Sequence, residues 1–360
     1  MKKLLHILSP LAALAAVILG SFATAAFAGE IASAVKEALL RCMNVMIPSL
    51  FAVTALSALL TSSPVFSLAA RPLRPLSRFV FRLPEELFMI MLISNVSGYP
   101  VGAKMLCDLY RSGRVNRRDA AFMLCCCYGA GTAFYASAIG LALFGNVRAG
   151  LAVFVSAAGA NIICGAFIGI VFRPKITSPR SAPKPCGDIL TRSVLSAGRT
   201  MFTVCTFIVA FSVPTAVLEA SGIMGRLCGF FGAAENAGVF LRSLGEISCI
   251  SSLSGSPYGQ LPLIAAVCSM GGLCVILQVS ALRDKDISLV PFLISRLVCG
   301  ALSFGICRLI KMHFFPVALP AVAGQKHIFV EINNFVPSFC LIMMILLLNL
   351  KKTLAFSKRV

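Results

Sequence analysis

The residues best equipped to do chemistry in this sequence are few, polar and set inside long apolar runs. Ile93-Ser94-Asn95-Val96-Ser97-Gly98-Tyr99-Pro100-Val101-Gly102 and Ile250-Ser251-Ser252-Leu253-Ser254-Gly255-Ser256-Pro257-Tyr258-Gly259 are identical at six of ten positions, at an offset of 157. Both carry Ser-Gly-x-Pro-x-Gly. Glycine permits unusual backbone angles and proline removes a donor, so a helix opens where Gly98, Pro100 and Gly102, or Gly255, Pro257 and Gly259, occur together. The freed N–H and C=O groups, joined by the hydroxyls of Ser94, Ser97, Ser251 and Ser254, are suited to coordinate a polar solute or an ion. Asn95 and Gln278 add uncharged hydrogen-bonding groups that fit a solute or a contact between helices. The competing reading is that the small residues only let helices approach closely.

Ionisable residues at membrane depth are costly, which makes each a functional candidate. Glu246 stands at the entry of the second Ser-Gly-x-Pro-x-Gly segment and is placed to bind a cation or a proton. Its structural alternative is a pair with Arg242, four residues earlier on a helix. Arg296 lies within an apolar run, where its fork of donors suits an anion or carboxylate. Its alternatives are a pair with Glu246 or a cap on the carbonyls of a broken helix. Lys104 and Asp108, at i,i+4, are spaced to pair with each other or to snorkel to the inside face. Glu85 and Glu86 follow Pro84 and favour a helix N-terminus.

No catalytic set accompanies them. His6, His313 and His327 are terminal or loop residues, and no GxSxG, HExxH or Walker loop occurs. The chain is therefore expected to be neither an enzyme nor a holder of a cofactor or metal. Its 15 cysteines contain no CxxC pair. Cys125-Cys126-Cys127 point in three directions on a helix and cannot converge on one ion.

The elements that must position these groups are membrane helices. Of 360 residues, 58% are hydrophobic and 12% charged, and the mean hydropathy is +0.92. A soluble chain is closer to about 25% charged, so a soluble enzyme, a disordered regulator and a secreted disulfide scaffold are excluded. Lys and Arg outnumber Asp and Glu by 32 to 13. Most of them sit between apolar runs, as topology determinants do; no nucleic-acid partner is expected. Apolar runs cover about 4–28, 42–60, 121–144, 149–172, 201–219, 261–282, 289–310 and 335–350. The first also ends like a signal-peptide cleavage site, although its length favours a retained helix.

Two basic stretches, with Arg71, Arg74, Arg78 and Arg82 and then Arg111, Arg114, Arg117 and Arg118, flank the broken segment around Gly98. Both lie inside only if that segment enters and leaves on one face, which predicts a re-entrant hairpin. Treating 241–256 likewise gives eight crossings, both termini in the cytoplasm, and 22 basic residues inside against 7 outside. The offset of 157 also lays Ile47-Pro48-Ser49-Leu50-Phe51 on Val204-Cys205-Thr206-Phe207-Ile208. Farther on, Cys164-Gly165-Ala166 with Arg173 matches Cys299-Gly300-Ala301 with Arg308. Each half then holds three crossings, so the second inserts upside down, the arrangement of many secondary transporters.

The expected fold is thus an all-α polytopic membrane protein with about eight transmembrane helices and two re-entrant segments in inverted-topology repeats. Its parts are an N-terminal helix or signal anchor (1–30), a first repeat (31–172), a cytoplasmic linker (173–189), a second repeat (190–311), an external loop (312–334) and a C-terminal helix with a basic tail (335–360).

Ser97-Gly98-Tyr99-Pro100-Val101-Gly102-Ala103-Lys104, with Pro48-Ser49-Leu50-Phe51 upstream, resembles the signature of the YlbJ-type sporulation integral membrane proteins. Gly271-Gly272-Leu273-Cys274-Val275, Gln278 and Arg296-Leu297 resemble that family's second half, and the likeness runs over roughly 34–309. The resemblance implies a nucleoside-recognition Gate domain in each repeat, a bacterial cytoplasmic membrane and a role in endospore formation. The partners it implies are membrane lipids, a small polar solute or ion, and either a second copy of the chain or other sporulation membrane proteins. A transporter-like protein is expected. The alternatives are a non-transporting scaffold of the spore envelope or cortex, and a gate subunit that works only with a partner.

Overall fold

The computed structural model describes residues 18, 20–63, 65–177, 187–230, 237–253 and 257–314. The expected C-terminal span and tail, nearly all of the external loop, and most of the first apolar run and of the linker lie outside the described residues. Every element among the described residues is helical, with no strand. The principal ones, in chain order, are α1 (Ala28–Arg41), α2 (Ile47–Thr61), α3 (Glu85–Ser97), α4 (Val101–Arg111), α5 (Arg117–Leu124), α6 (Thr132–Leu143), α7 (Val147–Val171), α8 (Gly187–Ala220), α9 (Ala237–Gly245), α10 (Leu261–Met270), α11 (Leu273–Leu282) and α12 (Val290–Phe314).

Among the described residues, four stretches are long and apolar enough to cross a membrane: Val147–Val171, Ile189–Ala220, Leu261–Leu282 and Val290–His313. A fifth is reached if α2 is joined to Val65–Phe81, which is bent from it by 100°. The helices are apolar all round, as membrane spans are. On α7, Ala149, Val153, Ala157 and Ala160 are buried while Leu151, Val155, Ile163 and Phe167 stand exposed. Lipid gives no hydrophobic drive for helix to meet helix, so small residues at the contacts carry the packing. Gly165 on α7 and Gly300 on α12 each receive a methionine side chain, Met91 and Met270 respectively.

The segment read as re-entrant folds back on itself. In a continuous helix Ser94 and Gly102 would be about 12 Å apart along the axis. Instead, a Cβ built on Gly102 would collide with the Ser94 side chain. The open ends of this α3–α4 hairpin meet as well: Glu86, at the start of α3, forms an ion pair with Arg114, just beyond α4. Other segments with expected inside charges gather at the same end. Arg78 pairs with Glu85 at 3.3 Å, Arg111 with Asp284 at 3.0 Å, and the Lys175 N–H donates to Asp119 at 2.9 Å. Partial burial works against the charge on Arg111, yet the Asp284 carboxylate holds its pKa above the ordinary value. At the opposite end Arg242 pairs with Glu219, and Lys311 donates to the Gly259 carbonyl at 3.2 Å.

α10 and α12 lie antiparallel, and side-chain bonds give their register. Cys307 donates to Leu261 O at 3.7 Å, Ser303 to Ala265 O at 3.1 Å, and Arg296 to Ser269 O at 3.3 Å. This register brings Arg296 to the C-terminal end of α10, where that helix stops.

Candidate functional site

Three helix breaks meet in the interior. Each turns on a glycine with nearly the same backbone: Gly98 at φ 96°, ψ 168°; Gly131 at φ 84°, ψ 149°; Gly271 at φ 70°, ψ 157°. Only glycine adopts this region without strain. The breaks also touch. A Cβ on Gly131 would lie 2.9 Å from Gly98 Cα, and one on Gly129 would lie 3.0 Å from Asn95 Cα. Gly271 is faced by the Tyr128 hydroxyl, and a Cβ on Gly272 would lie 2.8 Å from Gly245 O.

The middle break departs from the sequence expectation of a single helix over 121–144. α5 ends at Leu124 and α6 begins at Thr132, with Cys125–Gly131 non-helical between them. The reason is Tyr128-Gly129-Ala130-Gly131: a small-residue stretch lets α3 press against the backbone, and Gly131 turns it. Apolar composition hides such a break because it leaves the hydropathy of the run unchanged.

A broken helix releases carbonyls that must find donors. Here the donors are side chains from three other helices. Asn95, on α3, donates to Met91 O at 2.8 Å and to Cys126 O at 3.4 Å. Asn161, on α7, donates to Asn95 Oδ1 at 2.8 Å and to the Tyr128 carbonyl. Arg296, on α12, donates to the Cys125 carbonyl, to Ser269 O at 3.3 Å and to Asn161 Oδ1 at 3.3 Å. Its guanidinium lies over the Tyr128 ring, 4.4 Å from the centroid, and beside the Phe292 ring at 5.2 Å. Tyr99 stacks near Tyr128, with centroids 4.4 Å apart, and donates to Cys268 O at 2.9 Å. Arg296 is 2% exposed and Asn161 1%. Among the described residues no carboxylate lies in ion-pair range of Arg296.

The structure sorts the residues singled out by sequence. Asn95, Gly98 and Arg296 come together at the centre. Ser94 donates to Met91 O of its own helix at 2.8 Å, and Gly102 packs beneath it. Ser97 is half-buried and Pro100 buried, next to Gly98. Lys104 is buried but pairs with Asp108 at 2.8 Å, away from the network. Gln278 is buried and donates within α11 to Cys274 Sγ at 3.4 Å. Glu246 pairs with Arg41 at 3.3 Å rather than with Arg242 or Arg296. Its backbone neighbours Gly245 and Ile247 nonetheless touch Gly272, beside the third break. Gly259 is exposed at the Lys311 end. Ser254 and Gly255 lie outside the described residues, as do the side chains of Ser251 and Pro257.

Asn161, Tyr128 and Ser269 were not among the sequence candidates. A signal for Asn161 existed. The match of Cys164-Gly165-Ala166 to Cys299-Gly300-Ala301 has an offset of 135, and Asn161 and Arg296 are separated by the same 135. These two residues, at the offset of the matched segments, are in contact. Tyr128 and Ser269 are marked only by their closeness to Gly129 and Gly271.

The chain is 24% identical, over 305 residues, to the sporulation integral membrane protein YlbJ of Bacillus subtilis strain 168, which covers 74% of this chain and 74% of that protein. The YlbJ-type resemblance carried by Ser97–Gly102 thus extends along most of the chain. Together with its apolar helices, this likeness supports an integral membrane protein similar to YlbJ. No family model matches it, and no solved structure matches it.

Proposed function

We propose that this chain is a secondary transporter that moves a small polar solute across the bacterial cytoplasmic membrane during endospore formation. The observation that carries the reading is Arg296, hydrogen-bonded to Asn161 and backed by Asn95, where the breaks at Gly98, Gly131 and Gly271 meet. Broken helices at membrane depth are tolerated only where buried in protein or lining a watery cavity, and transporters place their solutes at such breaks. The meeting of Asn161 with Arg296, 135 residues apart like the matched Cys-Gly-Ala segments, supports two halves related by a pseudo-twofold axis through this point. Rocking of one half against the other would expose the centre to each side in turn. Both termini lie in the cytoplasm in this reading, and the end holding Arg71–Arg118 faces the cytoplasm. Glu246 with Arg41 flanks the third break and is the pair placed to couple a proton or cation to the movement. The sporulation setting rests on the likeness to YlbJ.

Uptake into proteoliposomes tests the proposal. Radiolabelled nucleosides, small carboxylates and amino acids are offered to vesicles holding the wild type or Asn161→Ala. Accumulation of one class by the wild type, reduced at least about tenfold by Asn161→Ala, is the expected result; the loss follows from removing hydrogen bonds at a buried polar site. No accumulation of any of them by folded, inserted protein under ion gradients of either direction contradicts it.

A further inference from the structure

We infer that the corner where the Val65–Phe81 elbow meets the end of α7 is a site for an anionic phospholipid, its phosphate held by Arg82 and Arg173. The backbone marks the place. Among the described residues two residues other than glycine have positive φ, Arg82 at 52° and Arg173 at 47°. Each stands just past a helix end, at a left-handed turn most often given to glycine. The Leu83 N–H closes the first turn on Ser77 O at 3.0 Å, and the Arg173 N–H closes the second on Ile168 O at 3.3 Å. A long side chain is strained there, and strain of this kind gathers at functional sites. The two arginines share one corner. Phe81, directly before Arg82, presses its carbonyl against Gly169, where any side chain would collide. Arg173 follows Gly169 by one helical turn, about 6 Å along the axis. Ser77 and Phe81 are buried, and Phe81 packs on Phe88 of α3 with ring centroids 4.7 Å apart, so packing fixes the corner.

Depth and charge select the ligand. Val171 is the last residue of an apolar span, so Arg173 stands where hydrocarbon gives way to headgroups. The elbow turns away from α2 by 100° and so runs along that boundary rather than across it. Arg82, Arg173 and Arg118 are exposed, and among the described residues no ion pair reaches them. The Arg118 guanidinium lies 5.9 Å from the ring centroid of Phe172, directly before Arg173. The carboxylates nearby are already engaged: Glu85 by Arg78, Glu86 by Arg114, and Asp119 by the Lys175 N–H and by Asn116. Apolar side chains flank the arginines on both elements. Phe79 is 87% exposed, and Val80, Phe167 and Val171 are exposed as well. Guanidinium forks match phosphate oxygens, and the apolar flanks match acyl chains. A free phosphate would leave the apolar flanks unused, and a zwitterionic lipid would bring an ammonium into a positive corner. A phospholipid of net negative headgroup meets both features.

The site is independent of transport, and binding alone tests it. The full chain, purified and delipidated in detergent, is mixed with dioleoylphosphatidylglycerol, with dioleoylphosphatidylcholine or with inorganic phosphate. Native mass spectrometry counts the molecules retained. Phosphatidylglycerol is expected to be retained at severalfold lower concentration than phosphatidylcholine, and phosphate is expected to be lost. Arg82→Gly combined with Arg173→Gly places at both turns the residue that the backbone prefers. This variant is expected to keep or raise the lipid-free thermal midpoint and to need about tenfold more phosphatidylglycerol, as the loss of two basic residues at an anionic lipid surface would give. Arg148→Gln combined with Arg226→Gln removes the same charge from exposed positions at the start of α7 and on the helix Ile223–Phe230. That control is expected to retain phosphatidylglycerol as the wild type does. Equal retention of the two lipids by the wild type overturns the inference, as does undiminished retention in the glycine variant or an equal loss in the control. A lipid-free midpoint lowered by more than about 3 °C in the glycine variant makes the two arginines structural and overturns it too. Retention of phosphate as readily as of phosphatidylglycerol reduces the corner to a plain anion site and likewise overturns it.

Discussion

The charged groups at the Glu86–Arg114 end of the bundle and the buried Arg296 at its centre are handled in opposite ways. At the end, Glu86 meets Arg114, Glu85 meets Arg78, and Asp284 meets Arg111. These three arginines each have a carboxylate, and two of them, Arg78 and Arg111, are open to solvent. At the centre Arg296 is fully enclosed and is met by carbonyls and an asparagine amide oxygen. A chain can hold a charge in low dielectric only by supplying its opposite or by bonding it to neutral oxygens. The end follows the first course, while at the centre only uncharged oxygens face the guanidinium.

The largest expected effect is at the end. Glu86→Gln leaves Arg114 almost enclosed without its carboxylate, and should lower unfolding stability in detergent by about 3–5 kcal/mol. A cost under about 1 kcal/mol would erase the distinction between the two regions. Next comes the backbone of the centre. Gly131→Ala puts a side chain at φ 84°, with its Cβ 2.9 Å from Gly98 Cα. Strain of this kind costs about 1–3 kcal/mol, and uptake should fall even where the variant still folds. Wild-type uptake and stability in Gly131→Ala would mean that the breaks tolerate being filled. The smallest effect belongs to Glu85→Gln, whose partner Arg78 has a side chain 53% exposed. Its loss should stay within about 1 kcal/mol, and uptake should not change.

How far the sequence carried this picture differs from residue to residue. The α3–α4 hairpin was legible because two basic stretches flank one apolar segment, and only a chain that turns back satisfies both. The ion pair of Lys104 with Asp108 was legible from helical spacing. The partner of Glu246 was not: spacing offers Arg242, whereas folding brings Arg41 from 205 residues away. The Cys125–Gly131 break was hidden because glycine and alanine read as apolar. Asn161 was hidden for a different reason. A single asparagine in an apolar run looks like any polar exception until the repeat is used to set it opposite Arg296. Patterns of charge and hydropathy report where segments lie, while the partners of buried polar groups are decided by tertiary contact.

The most direct test uses a reporter that the centre already holds. Cys299 is fully buried, 3.6 Å from Arg296 Nη2. A membrane-impermeant, charged methanethiosulfonate reagent is applied to sealed vesicles, and modification of Cys299 is followed by peptide mass spectrometry. A centre that opens to water predicts slow modification of Cys299 in the native protein. Modification of Cys299 only after the protein is unfolded would contradict the account and make the meeting of the three breaks a packed core.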